Sequence, residues 1–133
     1  MHNTFLNIYL CDMIIENTQT QMRKGILEYC ILSIIAKGET YASDIIAELK
    51  KAQLLVVEGT LYPLLTRLKN NGLLTYNWVE STSGPPRKYY VLADEGRKVL
   101  EQLDVTWREL EFAVRTAIGD RNAGEAPNLS TKE

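Results

Sequence analysis

The chain has few of the residues on which metal binding and nucleophilic catalysis depend. It contains two cysteines and one histidine, His2, in 133 residues. Two cysteines provide neither a disulfide framework nor a zinc site, and Ser-His or Cys-His catalysis lacks its usual base. Paired carboxylates and a phosphate-binding glycine loop are missing as well. We therefore expect no enzyme activity, no metal site and no cofactor, and binding functions are favoured.

Long apolar runs are also missing. A helix that crosses a membrane needs about 18 to 20 apolar residues in succession, and the sequence contains no such run. The apolar N-terminal stretch is interrupted by Asp12, no basic residue precedes it, and no small residues stand before Cys11 as a cleavage site requires. We expect a cytoplasmic protein without a membrane partner. Cys11 and Cys30 are then reduced thiols, and a bridge between them is the less favoured alternative.

Basic residues are no more numerous than acidic ones, and they are unevenly distributed along the chain. The chain has 15 Lys and Arg against 17 Asp and Glu, a net charge of −2. Residues 23–92 carry nine basic and six acidic side chains, whereas residues 1–22 and 93–133 are acidic. The pattern is typical of a protein that presents one basic face, although it lacks the strong excess that alone indicates nucleic-acid binding.

Three helices are predicted in the first half of the chain. Residues 23–37 are apolar on nearly every side, which indicates a helix at the centre of a core or between two subunits. An amphipathic helix over residues 42–51 follows, with Thr40 or Ser43 as its cap. Residues 58–70 hold leucines at helical spacing, which predicts the third helix.

The spacing of the apolar residues is no longer helical after the third helix. Residues 73–80 and 87–92 are rich in β-branched and aromatic residues, and the Ser, Gly and Pro residues between them predict a hairpin. Helical spacing returns over residues 93–118. Residues 119–133 hold one large apolar residue, Leu129, which predicts a disordered tail.

This order predicts a mainly α fold with a small β-hairpin (α+β), a winged helix-turn-helix followed by a long C-terminal helix. The expected divisions are an N-terminal extension of undetermined order (1–21), the DNA-binding domain (22–92), a dimerisation helix (93–118) and the tail (119–133). The apolar residues of the extension would lengthen the first helix or pack on a second subunit: Ile8, Leu10, Ile14 and Ile15.

The third helix is the candidate for insertion into a DNA groove. The second helix of a helix-turn-helix enters the major groove. A cap at Thr60 would place Pro63 in the first turn, where proline is tolerated. Opposite the leucines, the helix presents side chains that suit phosphates and base edges: Thr60, Tyr62, Thr66, Arg67, Lys69 and Asn70. Arg87 and Lys88 add two cations at the predicted hairpin tip.

The final helix carries an apolar seam. Its members recur at alternating steps of three and four residues, the spacing of a helix packed lengthwise on a partner: Leu100, Leu103, Trp107, Leu110, Val114 and Ala117. The seam is too short to hold a dimer alone, so we expect the first helix to contribute through Ile26 and Tyr29. The alternative is a helix that folds back on its own wing. Trp107 either fills the interface or, across a gap, binds a flat aromatic effector.

Two blocks of the sequence are specific: Gly59-Thr60-Leu61-Tyr62-Pro63 and Arg87-Lys88-Tyr89-Tyr90. Further characteristic positions are residues 26–38, 41–45, 71–74 and Gly96. Together these blocks closely resemble the PadR-like family of bacterial transcriptional regulators, over roughly residues 22–118. The resemblance implies a homodimeric winged-helix repressor that binds a palindromic DNA operator and often releases it when a small molecule binds. It is closest to the compact form, in which one C-terminal helix supplies the dimer contact.

The resemblance also implies the DNA-contacting positions. Tyr41 and Ser43 would bind phosphate at the start of the second helix, and the front of the recognition helix would meet the groove through Gly59, Thr60 and Tyr62. Arg87 and Lys88 match the basic pair of the wing. Arg67 and Lys69 would add electrostatic attraction. Tyr89 and Tyr90 are favoured as core residues.

Glu58 departs from the family pattern, in which many members have a neutral residue. It either accepts a hydrogen bond from a cytosine amine or only caps the helix, and we favour the cap. An amphipathic helix flanked by Arg and Lys is also typical of a plain solvated surface. The alternative function is therefore a winged helix that binds a protein partner and no DNA.

Overall fold

The computed structural model describes residues 3–122, in which helices and strands follow one another in the predicted order. The elements are α1 (Asn3–Ala36), α2 (Ala42–Lys51), α3 (Glu58–Asn70), β1 (Leu74–Ser81), β2 (Gly84–Leu92), α4 (Asp94–Ile118) and a short 3-10 helix (Gly119–Asn122). They confirm the winged helix-turn-helix with a long C-terminal helix. The chain divides into two units, one up to Leu100 and the other from Glu101. Most of the predicted tail, residues 123–133, lies outside the described residues.

Helix α1 is much longer than the predicted first helix. It runs for 34 residues without a break at residue 22, where the sequence suggested a boundary. The described part of the N-terminal extension thus lengthens the first helix, which was one of the two alternatives. Every side chain from residue 3 to residue 25 is exposed, whereas Ile31, Leu32 and Ile35 are buried. Among the described helices, none has the length and apolar content to cross a membrane.

The core of the first unit lies where α1, α2, α3 and the base of the hairpin meet. Each helix contributes one apolar stripe because residues three and four apart share a helix face. The stripes consist of Ile31, Leu32 and Ile35 from α1, Ile45 and Leu49 from α2, and Leu61, Leu65 and Leu68 from α3. Leu74, Tyr90 and Leu92 close the core from the hairpin.

Helix α2 is capped by neither Thr40 nor Ser43. Its N-cap is Tyr41, whose backbone N–H donates to a carboxylate oxygen of Asp44 at 3.3 Å. Thr40 is buried and exchanges two backbone hydrogen bonds with Tyr90, at 2.9 and 3.2 Å. Those bonds hold Thr40 in an extended bridge to the hairpin, so the helix begins after it.

Helix α3 begins earlier in the sequence than it would if Thr60 were its N-cap. Its N-cap is Val57, and no side chain caps it, so the favoured role of Glu58 as a cap is wrong. Glu58 is the first helical residue, where a negative charge is favoured by the helix dipole. Pro63 consequently lies in the second turn, not the first. Pro63 and Gly59 are both exposed, so water can satisfy the carbonyl of Gly59 that proline leaves without a donor.

The hairpin is tighter than predicted. Strands β1 and β2 pair antiparallel from Leu74 opposite Leu92 to Ser81 opposite Gly84, with an irregularity between Val79 and Ser81. Only residues 82 and 83 remain for the turn, whereas residues 81–86 were expected to form it. Arg87 and Lys88 therefore lie within strand β2 and not at the hairpin tip.

Helix α4 approaches the start of the hairpin closely. The backbone N–H of Ala93 donates to the carbonyl of Leu73 at 3.0 Å. A Cβ added at Gly96 would overlap that same carbonyl oxygen and crowd a methyl group of Leu92. Glycine at position 96 is therefore what allows α4 to begin against the hairpin.

Candidate nucleic-acid interface

The N-termini of α2 and α3 and one part of the hairpin line an open cleft of about 340 Å³. The cleft brings together the predicted DNA-binding residues Tyr41, Ser43, Tyr62, Arg87 and Lys88. They come from three elements that are distant in sequence, so the fold of the first unit is what assembles them. The arrangement offers hydroxyl groups and two cations on one concave surface, a combination suited to phosphate oxygens and base edges.

Arg87 connects the hairpin to the start of α2. Its Nη2 donates to Ser43 Oγ at 2.8 Å, and its guanidinium carbon lies 4.1 Å from the centroid of the Tyr41 ring. Tyr89 meets Tyr41 edge-on, with ring centroids 4.2 Å apart. Tyr41, Ser43 and Arg87, which the sequence assigned to DNA contact, are therefore linked to one another through Arg87.

Lys88 also lines the cleft, but its side chain leaves the opposite face of the strand and lies among other aromatic rings. Its Nζ is 4.5 Å from the centroid of Tyr76 and 5.4 Å from that of Trp78. Lys69 reaches the same Tyr76 ring from α3, with its Nζ 5.4 Å from the centroid. Such cation–π contacts restrain flexible lysine side chains and leave their ammonium groups able to meet an anion.

Trp78 is a cleft residue that sequence reasoning missed. It lines the cleft, and 61% of its surface is exposed. The signal was present in the strand alternation, because Trp78 shares a face with Tyr76 and stands opposite Lys88. It was not predicted as a site residue because an aromatic residue in a strand is more often part of a core.

Glu58 also lines the cleft, beside the hydroxyl and cationic groups. With the cap excluded, its carboxylate is an exposed acceptor at the end of α3 that faces the cleft. Of the two roles expected for Glu58, the cap is excluded, and acceptance of a hydrogen bond from a base amine stays a prediction.

Four of the predicted DNA-binding residues do not line the cleft: Gly59, Thr60, Arg67 and Lys69. Arg67 forms an ion pair with Glu28 of α1, so part of its charge is neutralised within the protein and it differs from the free cation that we expected. Thr60 lines a second cavity of about 340 Å³ with apolar residues of α1 and of the connector before α3, among them Leu27 and Leu55. Gly59 is exposed with open space where a Cβ would stand, so a close approach to its backbone is unobstructed.

Burial changes the acidity of two groups in the first unit. It raises the pKa of the Tyr90 phenol, and the neighbouring Tyr62 and Tyr76 add to the effect. Burial also raises the pKa of the Cys30 thiol, whereas Cys11 is exposed, and both cysteines are free thiols. Tyr90 therefore remains a neutral phenol at the base of the cleft over the physiological range.

The predicted seam of α4 is exposed beyond Leu100. Trp107, Leu110 and Val114 have 40%, 52% and 55% of their surface exposed, and Leu103 is half-buried. Leu100, which we assigned to the dimer contact, is instead buried in the core of the first unit, so it has little area left for a partner.

Two further residues of the predicted dimer contact, Ile26 and Tyr29, lie on α1. Both are half-buried in the first unit, and the carbonyl of Tyr29 accepts a hydrogen bond from the Ser33 hydroxyl at 2.8 Å.

In the second unit, Phe112 is 71% exposed and lies half a helical turn away from the seam. Sequence reasoning overlooked it because it falls outside the alternating pattern.

Comparison with known proteins identifies the family. The sequence profile of the Transcriptional regulator PadR-like family matches residues 31–102. A PadR-like transcription factor from Bacteroides fragilis is 59% identical, with a TM-score of 0.66 over 76% of this chain and 98% of that one. A padr family transcriptional regulator from Eggerthella lenta is 31% identical, with a TM-score of 0.74 over 83% and 96% of the two chains.

A more distant structure shows a related protein with its ligand. Bacillus subtilis PadR in complex with operator DNA is 28% identical, with a TM-score of 0.55 over 59% of this chain and 46% of that one. The family profile covers more than half of this chain, and the Bacteroides protein is covered almost completely. On these grounds, the chain belongs to the Transcriptional regulator PadR-like family.

Proposed function

We propose that this regulator binds double-stranded operator DNA through the cleft between α2, α3 and the hairpin, and that it acts as a repressor. The observation that supports the proposal is the assembly of Tyr41, Ser43, Tyr62, Arg87 and Lys88 on one concave surface. The similarity to a relative solved with operator DNA points in the same direction.

Each part of the cleft, and of α3 outside it, has a proposed role. Arg87 and Lys88 bind phosphates from the wing, and Ser43 contributes its hydroxyl from the start of α2, beside the ring of Tyr41. The first turns of α3 enter the major groove with Gly59, Thr60 and Tyr62, where the exposed glycine backbone allows close approach. Lys69 adds attraction to the DNA backbone. Arg67, because of its pair with Glu28, contributes less than a free arginine would.

A homodimer accounts for recognition of a palindromic operator. The exposed seam of Leu103, Trp107, Leu110 and Val114 offers an apolar surface that a second copy can cover. Ile26 and Tyr29 of α1 are proposed to extend that contact. Two copies related by a two-fold axis would read half-sites about 34 Å apart, one turn of DNA. Such a regulator would act in the cytoplasm.

A small aromatic effector is the proposed signal for release. Trp107 is partly exposed in the middle of the seam, so paired indoles across the dimer axis could stack on a flat ligand. The test is quenching of Trp107 fluorescence by an aromatic dye at micromolar concentration. Because Trp78 is also exposed, the measurement needs a Trp78→Phe background. Quenching in the Trp78→Phe background no greater than the collisional quenching of free N-acetyltryptophanamide by the same dye would exclude the effector site.

The central experiment is a binding titration with the protein's own promoter. We expect a shifted complex that a scrambled fragment of equal length does not compete away, and lower reporter expression when the protein is present. If no promoter fragment binds and a protein partner is recovered in its place, the interaction-module alternative is correct. If binding occurs and expression rises, the protein is an activator.

A further inference from the structure

Arg87 is held in a defined position by two contacts within the protein. One guanidinium N–H group donates to Ser43 Oγ at 2.8 Å, and the guanidinium carbon lies 4.1 Å from the centroid of the Tyr41 ring. A free arginine side chain on a strand would sample many rotamers and lose that freedom on binding. The two contacts remove much of it in advance.

The ring of Tyr41 is itself fixed. Tyr41 is the N-cap of α2, and its backbone N–H donates to Asp44. The neighbouring Thr40 is buried and bridged to Tyr90, and Tyr89 packs edge-on against the ring. A side chain supported in this way from both the helix and the hairpin is a stable surface for a cation.

We propose that Tyr41 is a positioning residue that holds the Arg87 guanidinium toward a DNA phosphate, an inference that rests on the proposed function. Arginine has five N–H donors in a planar fork. Ser43 engages one of them, so the remaining donors can bind a phosphate in the two-bond manner that arginine favours. The Tyr41 ring lies 4.1 Å from the guanidinium carbon, a distance at which arginine is attracted to an aromatic face.

In this role Tyr41 acts through its ring and not through its hydroxyl. A direct phosphate contact by the hydroxyl would be lost in Tyr41→Phe and would not depend on Arg87. A platform needs the ring alone and matters only while Arg87 is present. The two roles therefore predict different outcomes for the same set of variants.

The first test measures the platform in the free protein. The aromatic ring face shifts nearby nuclei upfield in the NMR spectrum, so the Arg87 side-chain resonances should be shifted in the wild type and in Tyr41→Phe. In Tyr41→Leu they should return toward the values of an unstructured arginine. Identical Arg87 shifts in wild type and Tyr41→Leu would overturn the inference. Backbone amide spectra of each variant show whether the fold is retained.

The second test is a double-mutant cycle on operator affinity. We expect Tyr41→Phe to bind within about twofold of wild type, and Tyr41→Leu to bind about fivefold more weakly, as removal of one cation–π interaction implies. In an Arg87→Ala background, Tyr41→Leu should have no further effect. Equal losses in both backgrounds would show that Tyr41 acts independently of Arg87 and would refute the positioning role.

The outcomes separate this inference from the proposed function. If the wild type binds its operator but the cycle is additive, DNA binding stands and the positioning role fails. If the wild type binds no DNA, the proposed function fails and the phosphate role of Arg87 fails with it. Shifted Arg87 resonances would then establish only the contact between the two side chains.

Discussion

Lys88 and Trp78 stand directly opposite each other in the hairpin, and the Lys88 ammonium lies 5.4 Å from the centroid of the Trp78 ring. Arg87, one residue earlier, contacts Tyr41 on the other face. Because side chains alternate along a strand, the basic pair is divided between two aromatic surfaces. Each cation of the wing is thus supported separately.

The first prediction concerns the two wing cations. We expect Arg87→Ala and Lys88→Ala each to weaken binding to all DNA sequences. Each variant should also reduce the slope of log affinity against log salt by about one, because a protein that neutralises one phosphate fewer releases fewer counterions from the DNA. Fluorescence anisotropy at several salt concentrations measures the slope.

Lys98→Ala is the matched control for the wing variants. Lys98 is also a surface lysine, but it lies on α4 and contacts Glu95 at 3.0 Å. Its removal should leave the slope unchanged. If all three variants change the slope equally, the wing has no special role in DNA binding.

The second prediction concerns the carboxylate in the cleft. Glu58→Ala should tighten binding to random DNA, because a negative charge that faces the phosphates is removed. It should also weaken the preference for one base at one position of each half-site, because the amine of that base no longer has an acceptor. The free-energy difference between the preferred base and the others should fall by about 1 to 3 kcal/mol. Selection from a randomised operator library measures both effects.

Glu80→Ala provides the comparison for Glu58. Glu80 is an exposed carboxylate on strand β1. It should change overall affinity slightly and base preference not at all. A base preference of Glu58→Ala identical to that of the wild type would assign Glu58 to helix dipole stabilisation alone.

The third prediction concerns self-association. Leu110→Asp places a charge in the exposed seam and should reduce the particle from about twice the 15.1 kDa chain mass to a single chain. Phe112→Asp introduces the same charge on the opposite side of α4 and should leave the mass unchanged. Sedimentation equilibrium distinguishes the two. A wild type that sediments as a single chain would remove the dimer from the proposed function.

The fourth prediction concerns the close approach of α4 to the hairpin. Gly96→Ala should lower the free energy of unfolding by about 1 to 3 kcal/mol, because the added methyl group overlaps the Leu73 carbonyl. Gly25 lies in α1 with open space around it. Gly25→Ala should therefore raise the free energy of unfolding by about 0.5 to 1 kcal/mol. Urea titrations at equal protein concentration give both values. If Gly96→Ala leaves the free energy of unfolding unchanged, α4 can shift away from the hairpin at little cost.

Local patterns were sufficient for much of the fold. The ranges of α2 and α3 follow from leucine and isoleucine spacing, and the hairpin follows from β-branched and aromatic residues. The errors occurred where long-range contacts decide. The bridge between Thr40 and Tyr90 moves the cap of α2. The pairing of Ser81 with Gly84 makes β2 begin at Gly84, so Arg87 and Lys88 lie inside the strand and not next to the turn.

Amino-acid order by itself determined the succession of helices and strands, the family resemblance and the identity of the basic pair. These depend on residue type and spacing over a few neighbours. Only tertiary structure decided that Arg67 is bound to Glu28, that Trp78 and Glu58 face the cleft, and that Arg87 rests on Tyr41. The physical reason is that an ion pair or a ring contact depends on the distance in space between groups, and folding alone brings together residues that are 44 positions apart, as Ser43 and Arg87 are.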